Sequence, residues 1–271
     1  MSDSNSGQNY WLKQQPGKAL FDDLLWSRPE NKLLAGKLLV IGGNSQGFAA
    51  AGEAFGLADK AGIGTTRVLL PDSLQKSVGR IFEAGEYGAS TPSGSFSRAA
   101  LAEYLDMSLW ADGVLLAGDL GRNSETAVLL ETYLDKYTGQ VVITRDVITY
   151  FGELPTVVLT RPKTLLVLSM SQLQKLGVSS RFTMAFTLSM DLLRLIENLH
   201  EFTKRYPLQI ITKHYDTIIV AVNGEVSTTK LTTERPIWRL HMATYSVVWL
   251  LQNPSKPFEA LTTAAHLALQ A

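Results

Sequence analysis

Through most of the chain, short runs of consecutive apolar residues alternate with longer stretches whose apolar positions recur every three or four residues. The short runs, at 37–41, 65–70, 113–117, 141–144 and 156–159, are rich in Val, Leu, Ile and Thr and lack polar alternation. Such runs predict strands buried on both faces. The periodic stretches predict helices over 47–61, 98–109 and 124–137, the last with Asn123 or Ser124 as N-cap. Strands alternating with helices in this way indicate βαβ units and a mostly parallel sheet. Further on, 169–176 and 188–206 read as helices, and Pro207 ends the longer one. Strands follow over 208–212, 217–222 and 226–229, with Asn223-Gly224 as a hairpin turn between the last two. Helices over 242–251 and 257–269 close the pattern. At the other end, 19–26 is amphipathic and 1–18 is polar, predicting a flexible lead-in before a single α/β domain over 19–271.

Composition narrows the function classes. A length of 271 residues with 45% hydrophobic content is enough for one large core. Lys and Arg equal Asp and Glu at 25 each, so no long-range field favours nucleic acid or an anionic membrane surface as partner. The absence of Cys removes disulfides, thiolate metal sites and a cysteine nucleophile. The polar start lacks the pattern of a signal peptide, and no apolar stretch approaches the roughly 18 residues of a membrane span. A cytoplasmic protein without membrane contact is expected.

Two glycine turns are candidates for chemistry. Val40-Ile41-Gly42-Gly43-Asn44-Ser45-Gln46-Gly47 is a strand end, a turn and a helix start, where backbone N–H groups can approach a ligand. Its spacing is neither the dinucleotide fingerprint nor a Walker loop, and glycines there also serve a tight turn with no ligand at all. Ala117-Gly118-Asp119-Leu120-Gly121-Arg122 is a second turn of the same kind. His200, His214 and His266 show no metal-ligand spacing, and no metal site is expected. Arg161 and Lys163 after a strand suit either an anion clamp or a solvated loop. Core packing or a subunit contact accounts for Trp238, Tyr245 and Trp249.

Taken together, 111–122, the helix after it and Gly139-Gln140-Val141-Val142-Ile143 resemble the ADP/ATP-dependent NAD(P)H-hydrate dehydratase family of the ribokinase-like superfamily. Other similarities fall in the family's order. Lys32, Gly36 and Val40-Ile41-Gly42-Gly43 resemble its opening, Ala61-Gly62-Ile63-Gly64 a later turn, and 155–160 the strand before its Pro-His-Pro-Gly-Glu segment. Lys213 and Thr217 stand where the family has Lys-Gly-x-x-Thr ahead of its hairpin, and 257–260 resembles the start of a late helix. The resemblance spans 32–268 and implies a three-layer αβα sandwich with a central, mostly parallel sheet. It also implies ADP or ATP with Mg²⁺ as cofactor, a nucleotide or nicotinamide dinucleotide as partner, and homo-oligomeric assembly. By resemblance the binding residues are Gly42, Gly43, Gly118, Gly121, Asp146, Lys213 and Thr217.

The departures fall where the chemistry should be. Gly-Pro-Gly becomes Ala117-Gly118-Asp119, adding an anion to the turn. Asp-Ala-Asp becomes Thr144-Arg145-Asp146, keeping one carboxylate, and 161–165 replaces Pro-His-Pro-Gly-Glu. Counting back from Pro257, His241 stands at the place of the catalytic Asp, and Ile237-Trp238-Arg239-Leu240 replaces the Gly-Gly-Thr-Gly phosphate cradle. Glycines there would present successive N–H groups to a phosphate, whereas Ile and Trp adopt positive φ only at a cost. His241 is a general acid/base by position, or simply a polar residue near a helix start. Three readings stay open: a dehydratase with a rearranged site, a catalytically silent nucleotide sensor, and a protein-interaction scaffold with an occluded cleft. Restoring Gly-Gly-Thr-Gly-Asp at 237–241 is expected to raise nucleotide affinity if the rest of the scaffold is intact.

Overall fold

Among the described residues ten strands form one sheet: β1 (Trp11–Gln14), β2 (Lys37–Gly42), β3 (Thr65–Pro71), β4 (Gly85–Gly88), β5 (Gly113–Gly118), β6 (Gln140–Thr144), β7 (Thr164–Leu168), β8 (Leu208–His214), β9 (Thr217–Val222) and β10 (Glu225–Lys230). The helices are α1 (Asp22–Trp26), α2 (Ala49–Ala61), α3 (Gln75–Val78), α4 (Leu101–Trp110), α5 (Ser124–Lys136), α6 (Val147–Tyr150), α7 (Thr156–Thr160), α8 (Met170–Ser179), α9 (Leu192–Arg205), α10 (Trp238–Gln252) and α11 (Pro257–Gln270). The structure, a computed structural model, describes residues 9–79, 82–150, 156–231 and 238–270.

The strand order is β1-β10-β9-β8-β7-β6-β5-β2-β3-β4. Strand β9 is antiparallel to both its neighbours, β8 and β10, and every other pairing is parallel. Alternate residues of each central strand feed different cores, which is why those strands read as unbroken apolar runs. Leu38, Val40, Leu115 and Val142 join one core beneath α2, α10 and α11. Leu39, Ile41, Leu116 and Ile143 join the other, beneath α4, α5 and α9. The mostly parallel α/β architecture with helices on both faces is the one expected from the sequence.

Local signals explain several boundaries. Asn123 caps α5, its side chain accepting from Glu125 N–H, and Ser169 with Gln172 forms a capping box on α8. Asn223 and Gly224, both at positive φ (49° and 87°), make the β9–β10 hairpin turn.

Two expectations need correction. The run 156–159 is not a strand: Thr156–Thr160 is a turn of helix, with Val158 and Leu159 buried in the second core. The place in the sheet belongs to Thr164–Leu168, paired with β6 and β8. Both segments are short and rich in branched apolar residues, and at that length apolar periodicity does not tell helix from strand. Pro155 lies outside the described residues. Residues 1–8 of the expected lead-in lie outside the described residues, and part of 9–18 is ordered as a strand. Trp11–Gln14 adds a parallel edge strand to β10, anchored by Trp11 Nε1–H on Thr228 Oγ1 (3.0 Å) and by the buried Gln14 amide on Thr229 Oγ1 (2.9 Å) and the Thr262 carbonyl (3.1 Å). A four-residue strand, Trp11-Leu12-Lys13-Gln14, is too short for an apolar run or an alternation to stand out, so the pattern alone missed it.

Candidate ligand cleft

The sheet order sets the place of the cleft. From β2 the chain winds outward through β3 and β4, then returns to the other side of β2 with β5 and continues through β6 to β8. The loops after β2 and β5 therefore part at their carboxyl ends, the position where open parallel sheets hold ligands. A cleft of about 1160 Å³ opens there, floored by the turns 44–47 and 119–124 and walled by Ser93, Ser95, Asp146, Thr149 and Tyr150.

The glycines of the two turns have geometric causes. Gly118 is at φ 114°, and a Cβ on it would lie 2.5 Å from Asp146 Oδ1; a Cβ on Gly42 would lie 2.7 Å from the Gly118 carbonyl oxygen. Gly43 and Gly121, at φ 91° and 77°, complete the turns. The β2 and β5 turns are tied together by Gly43 N–H on the Gly118 carbonyl (3.1 Å) and Asn44 Nδ2 on the Asp119 carbonyl (2.6 Å).

The charged groups form a chain across three strand ends. Asp146 accepts the backbone N–H groups of Asp119 (3.0 Å) and Leu120 (3.3 Å). Asp119, at φ 58°, turns its carboxylate onto Ala50 N–H (2.9 Å) in the first turn of α2 and onto Arg145 Nη2 (2.8 Å). Helix α2 has Phe48 as N-cap, with no side-chain cap bond, so the anion that satisfies its amino end comes from Asp119, far away in sequence. Arg145 is also at positive φ (56°), and its carbonyl accepts from Gln172 Nε2 (2.8 Å) after β7. Gln172 Oε1 in turn accepts from Arg239 Nη1 (3.0 Å) in the first described turn of α10. On the far wall the Tyr150 hydroxyl donates to the Gly121 carbonyl, and burial pushes this phenol up to about 12.

The residues singled out by sequence divide into groups. Of the residues expected at the site, Gly121 and Asp146 line the cleft, while Gly42, Gly43 and Gly118 lie in the adjoining turns and do not line it. Lys213 and Thr217 lie at the β8–β9 turn on the same sheet edge, three strands from β5, which is roughly 14 Å at about 4.8 Å per strand. Lys213 is half-buried, and the Thr217 hydroxyl donates to Asp216 Oδ1 (3.1 Å). His241 lies in the first described turn of α10 with Nε2 at 3.4 Å from Glu53 Oε1 of α2. Ile237 lies outside the described residues. Trp238 packs on the first core, and Leu240 is fully buried within it.

Arg161 is no anion clamp. It lies at the amino end of β7, on the edge opposite the cleft, buried, with its guanidinium spent on the carbonyls of Tyr137, Gly139, Pro162 and Lys163 and on Thr164 Oγ1. The segment that follows β7 is instead Ser169-Met170-Ser171-Gln172, so Gln172 rather than Arg161–Leu165 meets the cleft's charged chain. His200, His214 and His266 serve structure: His200 stacks on Tyr10 and bonds the Gly224 carbonyl, His214 Nε2 lies 2.9 Å from the Met190 carbonyl, and His266 contacts Gln270. Among the described residues no cluster of three or more His, Asp or Glu side chains is arranged to hold a metal ion. Ser93, Ser95 and Tyr150 were not foreseen; the run Thr91-Pro92-Ser93-Gly94-Ser95 signals only a loop.

No family model and no curated protein sequence matches the chain. Solved structures do. A ribokinase-like superfamily protein from Enterococcus faecalis V583 superposes with a TM-score of 0.72 at 17% identity, covering 95% of this chain and 86% of that one. The fold is ribokinase-like. A hypothetical protein from Streptococcus mutans gives 0.67 at 14% identity, over 93% and 89% of the two chains. The ADP/ATP-dependent NAD(P)H-hydrate dehydratase from Bacillus subtilis, co-crystallised with ATP and Mg²⁺, gives 0.58 at 12% identity, over 89% and 81%. At these identities the likeness of this ribokinase-like chain to the three is one of fold. No helix among the described residues is long and apolar enough to cross a membrane.

Proposed function

We propose that this ribokinase-like chain is a divergent relative of the nucleotide-dependent NAD(P)H-hydrate dehydratases that binds ADP or ATP at its cleft edge and has lost the repair reaction. The observation that carries this reading is the first turn of α10 as described. It holds no carboxylate, and the residue at the family's Asp position, His241, is engaged with Glu53 at 3.4 Å. A general acid or base contributes about 10²–10⁴-fold only when held at the reacting atom, and that position depends on a cradle whose glycines are replaced here by Ile237, Trp238 and Leu240. Binding is less affected. The cleft at the sheet's switch point is open, its turns carry Gly42, Gly43, Gly118 and Gly121, and Lys213 lies farther along the same edge.

The cleft's donor set fits a nucleotide with Mg²⁺ in one respect. Mg²⁺ is commonly held by one or two carboxylates together with substrate phosphates, and Asp146 is the cleft carboxylate without an ion-pair partner among the described residues. Asp119 is committed to Arg145 and Ala50. When bound, Mg²⁺ would neutralise phosphate charge beside Asp146, while Asp119, Arg145 and Gln172 hold the strand ends in register.

The test is turnover. Purified protein incubated with hydrated NADH, ADP or ATP and Mg²⁺ is expected to restore NADH no faster than the uncatalysed reaction. Sustained turnover dependent on the protein would overturn the loss of catalysis.

A further inference from the structure

We propose that the interior of the cleft takes the uncharged, hydroxyl-bearing body of a nucleoside-sized ligand, met by Ser95, Ser124 and Gln46, and that Asp119 and Asp146 keep a metal-free phosphate out of it. The proposal deepens the nucleotide reading of the same cleft and rests on it only for the cleft being a ligand site.

The argument starts from backbone donors that the protein has already used. A phosphate cradle needs free N–H groups at a strand end. Every N–H from Gly43 to Gly47 is instead bonded within the protein: Gly43 to the Gly118 carbonyl, Asn44 to that of Gly47, Ser45 to that of Gly94, Gln46 to Asn44 Oδ1 and Gly47 to the Asn44 carbonyl. After β5 the N–H groups of Asp119 and Leu120 are held by the Asp146 carboxylate, and Ala50 N–H at the start of α2 is held by Asp119. The chain's own carboxylates stand where an anion would be received, and a metal-free phosphate meets their like charge. Arg145, the partner of Asp119, does not line the cleft; Arg122, exposed, is the one cation among the described lining residues. In the nucleotide reading a phosphate reaches Asp146 with Mg²⁺, which offsets that repulsion.

What the cleft leaves free is neutral. Ser95 is only 4% exposed, yet it lines the cleft, and its Oγ bonds no described residue. That hydroxyl lies against Gly121, so closely that a Cβ on Gly121 would collide with it. Its loop is fixed in place: Ser45 Oγ donates to the Ser93 carbonyl (3.0 Å) and Asn123 Nδ2 to Ser93 Oγ (3.0 Å). The exposed Ser124 hydroxyl and Gln46 amide, also in the lining, likewise bond no described residue. A buried hydroxyl left unbonded costs free energy that a ligand hydroxyl or amide recovers. Hydroxyls and amides both donate and accept, which suits them to the hydroxyls of a sugar and the edge of a base. At about 1160 Å³ the cleft has room for a nucleoside, since pockets for small ligands span about 300–1,000 Å³.

The experiment is calorimetric titration of the full chain with uridine and with uridine monophosphate, without Mg²⁺ and at rising salt, repeated for Ser95→Ala and Asp119→Asn with melting curves for each. Uridine lacks adenine, so an adenine-specific site does not answer for the cleft. Expected are saturable uridine binding, monophosphate binding weaker by roughly tenfold or more, and a gap that narrows as salt screens the carboxylates. Ser95→Ala is expected to weaken uridine binding by about threefold to tenfold. Asp119→Asn, which keeps a capping acceptor for α2, is expected to strengthen binding of the monophosphate. No uridine binding by the native chain, a monophosphate bound as tightly as uridine, or unchanged affinities in the folded variants would overturn the proposal. If Ser95→Ala does not fold, Ser124→Ala, at an exposed position, replaces it in the same comparison. If Asp119→Asn does not fold, the native salt series decides: a gap unmoved by salt removes the carboxylates from the account. Uridine binding with no response to ADP or ATP would sink the nucleotide reading and leave this one standing. A response to ADP and ATP without uridine binding would do the reverse.

Discussion

At the residue scale, Asp119 shows best how a departure read from sequence acquires a physical meaning. The sequence marks it only as an anion added to a glycine turn. In the fold that anion caps α2 from across the sheet switch and pairs with Arg145, both side chains less than a third exposed. Asp119→Ala is expected to lower stability by about 1–2 kcal/mol, the usual effect of removing a helix cap, as read from urea unfolding; no measurable change would mean that water replaces the carboxylate freely. Gly118 and Gly42 were legible as turn glycines, and the close approach of Asp146 Oδ1 and of the Gly118 carbonyl gives the reason. His241 was legible as a lost carboxylate, whereas its engagement with Glu53 was not, since nothing in the spacing of 53 and 241 announces that α2 and α10 pack together. Arg161 illustrates a different failure. The sequence suits it to an anion clamp or to a solvated loop, and it is neither: the strand was placed one segment too early, and Arg161 lies at the opposite edge of the sheet, buried on backbone carbonyls.

At the element scale, the strands with uninterrupted apolar runs were the most legible, because burial on both faces leaves a pattern that no exposed segment imitates. Helix α5 was equally clear through its Asn123 cap. The segments that misled, Thr156–Thr160 and Thr164–Leu168, are five residues each, and which of them enters the sheet is decided by the neighbours β6 and β8 rather than by local preference. Helix α10 also changes what a repair of the glycine motif would do. Leu240 is fully buried and Trp238, Arg239 and Leu240 are helical. Writing Gly-Gly-Thr-Gly-Asp over 237–241 removes a core leucine, worth about 2–5 kcal/mol, and adds glycine to a helix at about 1 kcal/mol each. The block variant is therefore expected to melt well below the native chain before any gain in nucleotide affinity is seen. A variant that melts at the native temperature would show that this end of α10 contributes little to the core.

At the scale of the whole molecule, the ribokinase-like fold followed from alternating strands and helices and from motif order, and the order of strands then fixed where a ligand can enter. The activity was less legible, since a fold places a cleft without specifying what is transformed in it. What the cleft and the strand ends beside it retain is a set of turns, the carboxylates of Asp119 and Asp146 in the lining, and cations farther along the edge at Arg145, Arg239 and Lys213. What the described α10 turn lacks is an acid at the reacting position. The central claim is that binding outlives catalysis, and titration of the purified chain with ADP and ATP in the presence of Mg²⁺ tests its first half directly. Saturable heat with micromolar affinity is the predicted result. No heat at high protein concentration, together with a melting temperature unmoved by either nucleotide, would contradict it and identify the chain as a scaffold whose cleft serves no nucleotide.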